Sequence, residues 1–142
     1  GYQMDLNSNS QIKSREAPEF HKIVQSKDFW FDTTKLKKLG FRGGHETGWK
    51  RAKQLSTKDE IPIEDVKYMR AWFARHIYAS YPTYKKWRLA GRPKDSSWHN
   101  KRGIIAWLIW GGDAAFRWVN SSKNINLLNK HYNKSYKPMR LK

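Results

Sequence analysis

The clearest hydrophobic pattern in this chain recurs every three or four positions and predicts a helix over residues 63–79. Pro62 stands where the first helical residue needs no N–H, and acidic residues follow in the first turn, where they favour the helix dipole. The apolar stripe of this helix is formed by Val66, Met69, Phe73 and Ile77.

A second helix is predicted over residues 98–110, which hold the only strongly apolar run, Ile-Ile-Ala-Trp-Leu-Ile-Trp. Gly103 inside it indicates a close contact with another helix, because an interior glycine otherwise disfavours a helix by about 1 kcal/mol. Gly111 and Gly112 can adopt the left-handed conformation that ends a helix. Asp113 then fits the N-cap of a last helix over residues 114–122.

The remaining pattern completes an all-α prediction: a small domain of about four helices over residues 43–122, with extended arms on both sides. A helix from Thr47 and a short one over residues 83–89 belong to this domain. Residues 1–42 read as an extended N-terminal arm with an aromatic anchor at residues 29–31, and residues 123–142 as a basic C-terminal tail. A hydrophobic fraction of 38% is low, but the 8 tryptophans can build a compact core.

The charge balance predicts a polyanionic partner. The formal net charge is +17, and residues 123–142 carry six basic and no acidic side chains. The best candidate polyanion-binding group runs from the end of one helix through a loop to the start of the next, and could converge on one face. It comprises Arg70, Arg75, Lys85, Lys86, Arg88, Arg92, Lys101 and Arg102. The rings interleaved with them, which either stack on bases or turn into the core, are Tyr81, Tyr84, Trp87 and Trp98.

Several kinds of chemistry are not expected. The absence of cysteine excludes disulfides and thiolate metal sites. No two histidines have the spacing of a zinc-binding helix, and neither glycine pair has the flanking residues of a phosphate loop or a dinucleotide fingerprint. No catalytic residue, metal or cofactor is therefore predicted, and no apolar run approaches the ~18 residues that span a bilayer.

Three segments together resemble a small Trp-rich domain of tailed-phage and other large DNA-virus proteins. They are Arg51–Leu55, Met69–His76 with its Phe-x-Arg-His end, and Gly103–Asp113 with its Ala-Trp-x-x-Trp-Gly-Gly-Asp run. Trp118 extends the likeness, which covers about half the chain; Ala114-Ala115 stand where that family commonly has Pro-Gly. The resemblance implies a viral setting and no particular activity.

Charge, arms and resemblance together predict a non-enzymatic viral structural protein, a minor capsid or internal virion component. Its expected partners are capsid or other virion proteins and packaged nucleic acid, contacted through phosphates, without a membrane span. Its expected location is the virion, and the host cell cytoplasm during assembly. The alternative is a free, sequence-nonspecific DNA-binding protein acting in the infected cell. An enzyme acting on nucleic acid is a third hypothesis, and its candidate residues are His45, His76, His99 and Asp113.

Overall fold

A computed structural model describes residues 11–13, 27–58 and 60–141, with side chains for residues 33–58 and 61–141. This part of the chain is mostly helical. Its α-helices are α1 (Lys27–Lys38), α2 (Glu46–Thr57), α3 (Ile63–Ala79), α4 (Tyr81–Leu89), α5 (Gly103–Ile109), α6 (Gly112–Val119) and α7 (Ser122–Tyr132). A 3₁₀ turn (Ser96–Trp98) precedes α5, and β1 (Gln11–Lys13) pairs antiparallel with β2 (Glu60–Pro62), Ile12 opposite Ile61.

The mostly helical class and the helix over residues 63–79 are confirmed. Residues 43–122 hold five α-helices and the 3₁₀ turn, where about four helices were predicted. The helix predicted over residues 98–110 was wrong at its start, because α5 begins only at Gly103 and residues 99–102 form turns.

The two predicted arms also contain helices. Residues 27–38 form α1 within the predicted N-terminal arm, and residues 122–132 form α7 where an extended tail was expected. The rings of the predicted aromatic anchor at residues 29–31 lie outside the described side chains. The Asn- and Lys-rich composition indicated a tail, but α7 buries Ile125 and Leu128 on its apolar side.

The short helix α5 lies at the centre of the core. It packs against α1, α2, α4 and α6, and five of its seven residues are buried. Trp107 is fully buried, and its ring packs edge-on against Phe73 with 5.0 Å between centroids. The rings of Tyr81 and Phe116 also surround it, at 4.9 and 5.9 Å. The apolar run is thus the part of the chain on which the other helices assemble.

Gly103 makes the close approach of α5 possible. A Cβ placed at this residue would lie 2.9 Å from the carbonyl oxygen of Ser80, between α3 and α4. Such a distance is too short for any side chain, so the predicted close contact at Gly103 is confirmed.

Gly111 and Gly112 both have positive φ angles, +108° and +66°, and the predicted left-handed glycine stop is confirmed. The N-cap of α6, however, is Gly111, and Asp113 lies inside the first turn. The N-cap role predicted for Asp113 was therefore wrong. The helix predicted over residues 114–122 is α6, which begins at Gly112 and ends at Val119, earlier at both ends than predicted.

The chain beyond α7 packs back onto the domain. Asn129 exchanges two hydrogen bonds with the backbone of Tyr136, and the side chain of Asn120 accepts one from the N–H of Met139 at 2.7 Å. The guanidinium of Arg70 donates to the carbonyl of Lys137, also at 2.7 Å. These contacts hold residues 133–141, which we call the C-terminal strap, against α3 and α7.

Candidate nucleic-acid interface

The eight predicted polyanion-binding residues do not share one cavity. Arg75 and Arg102 line a large cleft, whereas Lys85 and Lys86 line a separate groove on α4. The other four are held elsewhere, and each has a neighbour that accounts for its position.

Two of those four arginines have structural partners. Arg70 donates to the C-terminal strap and lies 4.3 Å from the ring centroid of Tyr136; burial lowers its pKa, although Tyr136 acts in the opposite direction. Arg88 forms an ion pair of 2.6 Å with Asp113. The primary role of Arg70 and Arg88 is therefore to stabilise tertiary contacts.

The last two cations lie over indole rings. Arg92 is 6.0 Å from the ring centroid of Trp87, and Lys101 is 5.5 Å from that of Trp98. Trp87 is buried and Trp98 is half-buried. Tyr81 and Tyr84 are buried as well. Three of the four interleaved rings therefore turn into the core and are not available to stack on bases.

A cleft of about 1040 Å³ lies between α2, α3 and the start of α5. We call it the arginine cleft, because its lining includes four arginines and two histidines and no aspartate or glutamate. These six are Arg42, Arg51, Arg75, Arg102, His45 and His76. Apart from Tyr68, every ionisable side chain that lines this concave surface is therefore an arginine or a histidine.

The loop before α2 brings Arg42 and His45 to the cleft. The N–H of Arg42 donates to the carbonyl of His99 at 2.8 Å, which fixes the loop to the turn before α5. Gly43 has a φ of +137°, and a Cβ there would lie 2.7 Å from the carbonyl oxygen of Arg102. The glycine thus allows two basic segments, distant in sequence, to pass each other closely.

The N-terminus of α2 opens into the same cleft. His45 is its N-cap and makes no side-chain capping bond, and Thr47 and Gly48 of the first turn line the cleft. Glu46 lies outside the lining and pairs with Lys50 at 3.3 Å on the exposed side of α2. The free N–H groups and the dipole of a helix N-terminus attract anions, so α2 adds to the field of the arginines.

One wall of the arginine cleft is a stack of four side chains. The ring of His76 lies parallel to Trp72 at 3.9 Å, Trp72 lies nearly parallel to Trp110 at 4.9 Å, and the guanidinium of Arg51 covers Trp110 at 5.2 Å. Trp72 and Trp110 are each 7% exposed. The stack therefore holds one imidazole and one guanidinium in fixed positions at the cleft.

Arg51 is held more firmly than the other cleft arginines. Its side chain is 11% exposed, it pairs with Asp65 at 3.3 Å, and it donates to Gln54. Its Nε is buried and has no hydrogen-bond partner within the part of the chain that the structure describes. Arg42, Arg75 and Arg102 are exposed, so their charges are directly accessible to a ligand.

His76 has a defined tautomer. Its Nδ1 lies 2.8 Å from the carbonyl oxygen of Trp72, and since a carbonyl only accepts, the proton is assigned to Nδ1. Burial lowers the pKa of His76; the bond to Trp72 raises it and Arg75 lowers it further. The lowered pKa favours the uncharged ring, in which Nε2 is an acceptor.

Sequence reasoning missed Arg42 and Arg51 as cleft residues, and it named His45 only as a candidate for the enzyme hypothesis. Arg42 and His45 flank the pair Gly43-Gly44, which lacks the pattern of a phosphate loop. Arg51 stands in one of the segments that resemble the viral Trp-rich domain. No local signal shows that these residues meet Arg75 and Arg102, because α5 brings them together.

Among the described residues, none of the helices has the length and apolar character needed to cross a membrane. No group of three or more histidine or acidic side chains in this part of the chain is arranged to hold a metal ion. Comparison with known families, curated proteins and solved structures found no match to the chain. The resemblance to the viral Trp-rich domain stays a prediction.

Proposed function

We propose that this chain is a non-enzymatic nucleic-acid-binding protein that holds phosphate groups in the arginine cleft. The observation that carries the proposal is the composition of the lining, with four guanidinium groups, two imidazoles and no carboxylate. Guanidinium groups bind phosphate oxygens through paired N–H donors, and the release of counterions from the nucleic acid adds to affinity.

A polymer explains the cleft better than a single phosphate does. The exposed arginines come from three places, the loop before α2, the C-terminal part of α3 and the turn before α5, so they present charges along the cleft. The net charge of +17 extends an attractive field well beyond the cleft itself. Contacts of this kind fix the backbone of a nucleic acid without reading its bases.

The biological setting that we propose is a virus particle, in which the protein is a minor capsid or internal component. Support comes from the resemblance to the viral Trp-rich domain and from the basic character of the whole chain. Capsid proteins would be further partners, with assembly in the host cell cytoplasm.

A free, sequence-nonspecific DNA-binding protein remains the second candidate, because the same cleft would serve it. Quantitative mass spectrometry of purified particles separates the two: a fixed copy number per particle supports the virion component, and absence from particles supports the free protein.

The binding proposal is tested by fluorescence anisotropy with labelled DNA of random sequence, duplex and single-stranded, over a series of salt concentrations. A triple variant, Arg42→Gln, Arg75→Gln and Arg102→Gln, removes the three exposed cleft charges. We expect its affinity to fall by about tenfold or more, and the slope of log K against log salt to shrink by about two to three for duplex DNA.

A charge-matched control removes three exposed cations outside the cleft, Arg117→Gln, Lys130→Gln and Lys134→Gln. This variant should keep most of the affinity and most of the slope. Equal losses in the two triple variants would show that net charge, and not the cleft, governs binding. Absence of binding at low salt would overturn the nucleic-acid proposal as a whole.

A further inference from the structure

A second concave surface lies between the end of α3 and α4, close to the C-terminal strap. It encloses about 390 Å³ and shares no lining residue with the arginine cleft. We call it the α4 groove. Its lining consists of Ile77, Tyr78, Tyr81, Pro82, Leu89 and the cations Lys85, Lys86 and Arg140.

The α4 groove contains the two most exposed large apolar side chains among those described. Tyr78 is 70% exposed and Leu89 is 73% exposed, and the buried Tyr81 belongs to the same lining. Leu89 ends α4, and the core is complete without it. Large apolar groups grouped around a concavity are typical of a contact surface, whereas scattered ones are ordinary.

The charge around the α4 groove has one sign. Lys85, Lys86 and Arg140 belong to its lining, and no aspartate or glutamate does. Lys86 and Arg140 are exposed. A partner that fills the groove must therefore bring apolar side chains for the centre and negative charge for the edge.

We propose that the α4 groove docks an acidic amphipathic segment of a partner protein. One large apolar side chain of that segment lies between Tyr78 and Leu89, and flanking carboxylates pair with Lys86 and Arg140. A second copy of this chain fits poorly, because the same three cations would face each other across the contact. A lipid surface fits poorly as well, because the exposed apolar groups line a concavity and a bilayer surface is flat.

The test uses the full chain and fluorescein-labelled peptides of about 16 residues, long enough for a helix that stays partly formed in water. Each peptide carries Leu and Phe on one face, flanked by Asp and Glu, and the set varies the spacing of the apolar positions. Binding is measured by anisotropy at about 0.15 M salt, where charges beyond ~8 Å are largely screened. We expect saturable binding by at least one peptide, and backbone NMR shifts confined to the ends of α3 and α4 and to the strap.

Surface variants show whether the groove is responsible. Tyr78→Ser combined with Leu89→Ser should weaken peptide binding by about tenfold or more, as expected for anchor residues. Lys86→Gln and Arg140→Gln should weaken it and reduce its salt dependence. The matched control is Leu39→Ser, because Leu39 is also exposed, at 42%, but lies outside the groove. The triple arginine-cleft variant should bind the peptide as the wild type does.

Four results would overturn the proposal. The first is the absence of saturable binding across the peptide set. The second is equal binding of a peptide whose Leu and Phe are replaced by Ser, which would show capture by charge alone. The third is binding to vesicles of phosphatidylglycerol and phosphatidylcholine that depends on Tyr78 and Leu89 while no peptide binds. The fourth is a dimer in sedimentation that Leu89→Ser dissociates.

Discussion

The indole N–H of Trp107 donates a hydrogen bond of 2.8 Å to one carboxylate oxygen of Asp113, while the other oxygen pairs with Arg88 at 2.6 Å. Trp107 is fully buried and Asp113 is largely buried, so this carboxylate satisfies a donor at the centre of the core. Asp113 joins α4, α5 and α6 through its two oxygens. Although burial acts to lower the pKa of Arg88, the nearby Asp113 and the tyrosines Tyr81 and Tyr84 raise it overall.

The first prediction concerns Asp113 and distinguishes its observed contact from a capping role. Asp113→Ser keeps a side chain that caps helices well, but it removes the acceptor of Trp107 and the partner of Arg88. We expect a loss of about 1–3 kcal/mol in the free energy of unfolding, as for a buried donor left without a partner. Urea denaturation measures it. If Asp113→Ser were as stable as the wild type, the contacts with Trp107 and Arg88 would not be the main role of Asp113, and a capping role would account for it better.

The second prediction concerns Gly103, where helix propensity and packing have opposite effects. Alanine is favoured over glycine by about 1 kcal/mol in a helix interior, which is an upper limit for Gly103 because it is the first residue of α5. The added Cβ would meet the backbone of Ser80 at 2.9 Å, and overpacking of this kind destabilises by about 1–3 kcal/mol. We expect Gly103→Ala to lower the unfolding midpoint in urea. An increase would show that α5 can move away from α4 at little cost.

The third prediction concerns pH and His76. Burial is the largest cause of the lowered pKa of His76 in the folded protein. At a pH between the folded and the unfolded pKa, the unfolded chain therefore binds more protons than the folded protein does. The stabilising effect is fully present above the unfolded value of about 6.5 and is lost as the pH falls below it. His76→Phe keeps a ring on Trp72 but does not titrate.

Urea midpoints of the wild type and His76→Phe, compared between about pH 7.5 and pH 5.5, test this dependence around the unfolded pKa of histidine. The wild type should lose more stability than the variant over this range. Parallel curves for the two proteins would mean that His76 does not account for the pH dependence.

The fourth prediction concerns Arg51 at the end of the aromatic stack. Lysine keeps the charge but lacks the flat guanidinium that covers Trp110 and that places Nη1 beside both Asp65 and Gln54. We expect Arg51→Lys to weaken DNA binding several-fold, with the salt slope nearly unchanged because the charge remains. The matched control is Lys53→Arg on the exposed side of the same helix. Unchanged DNA affinity in Arg51→Lys would show that the guanidinium of Arg51 does not contribute to binding through its shape.

The sequence predicted the parts of the fold that depend on neighbouring residues. The helix over residues 63–79 followed from a stripe of apolar residues, and the end of α5 followed from Gly111 and Gly112. The start of α5 could not be read in this way, since residues 99–102 and the helix share an uninterrupted stretch without a proline. In the structure the N–H of Arg42 donates to the carbonyl of His99, a contact between segments distant in sequence.

The candidate site was less accessible from sequence for the same physical reason. Arg75 and Arg102 were singled out because they stand in a basic stretch, but Arg42 and Arg51 join them only after α5 has packed between α2 and α4. Asp113 shows the converse error. A carboxylate after two glycines satisfies a local capping rule, and its tertiary partner Arg88, 25 residues earlier, leaves no trace in the local pattern.

The arginine cleft is shared between α2, α3 and α5, and this division has a thermodynamic consequence. A ligand that bridges the three helices binds only their packed arrangement, so occupancy and folding are linked equilibria. With free ligand at about one hundred times its dissociation constant, the folded state gains roughly 2.7 kcal/mol. Resistance of the chain to heat and proteases would then follow the local supply of nucleic acid, being greatest where the polymer is most concentrated.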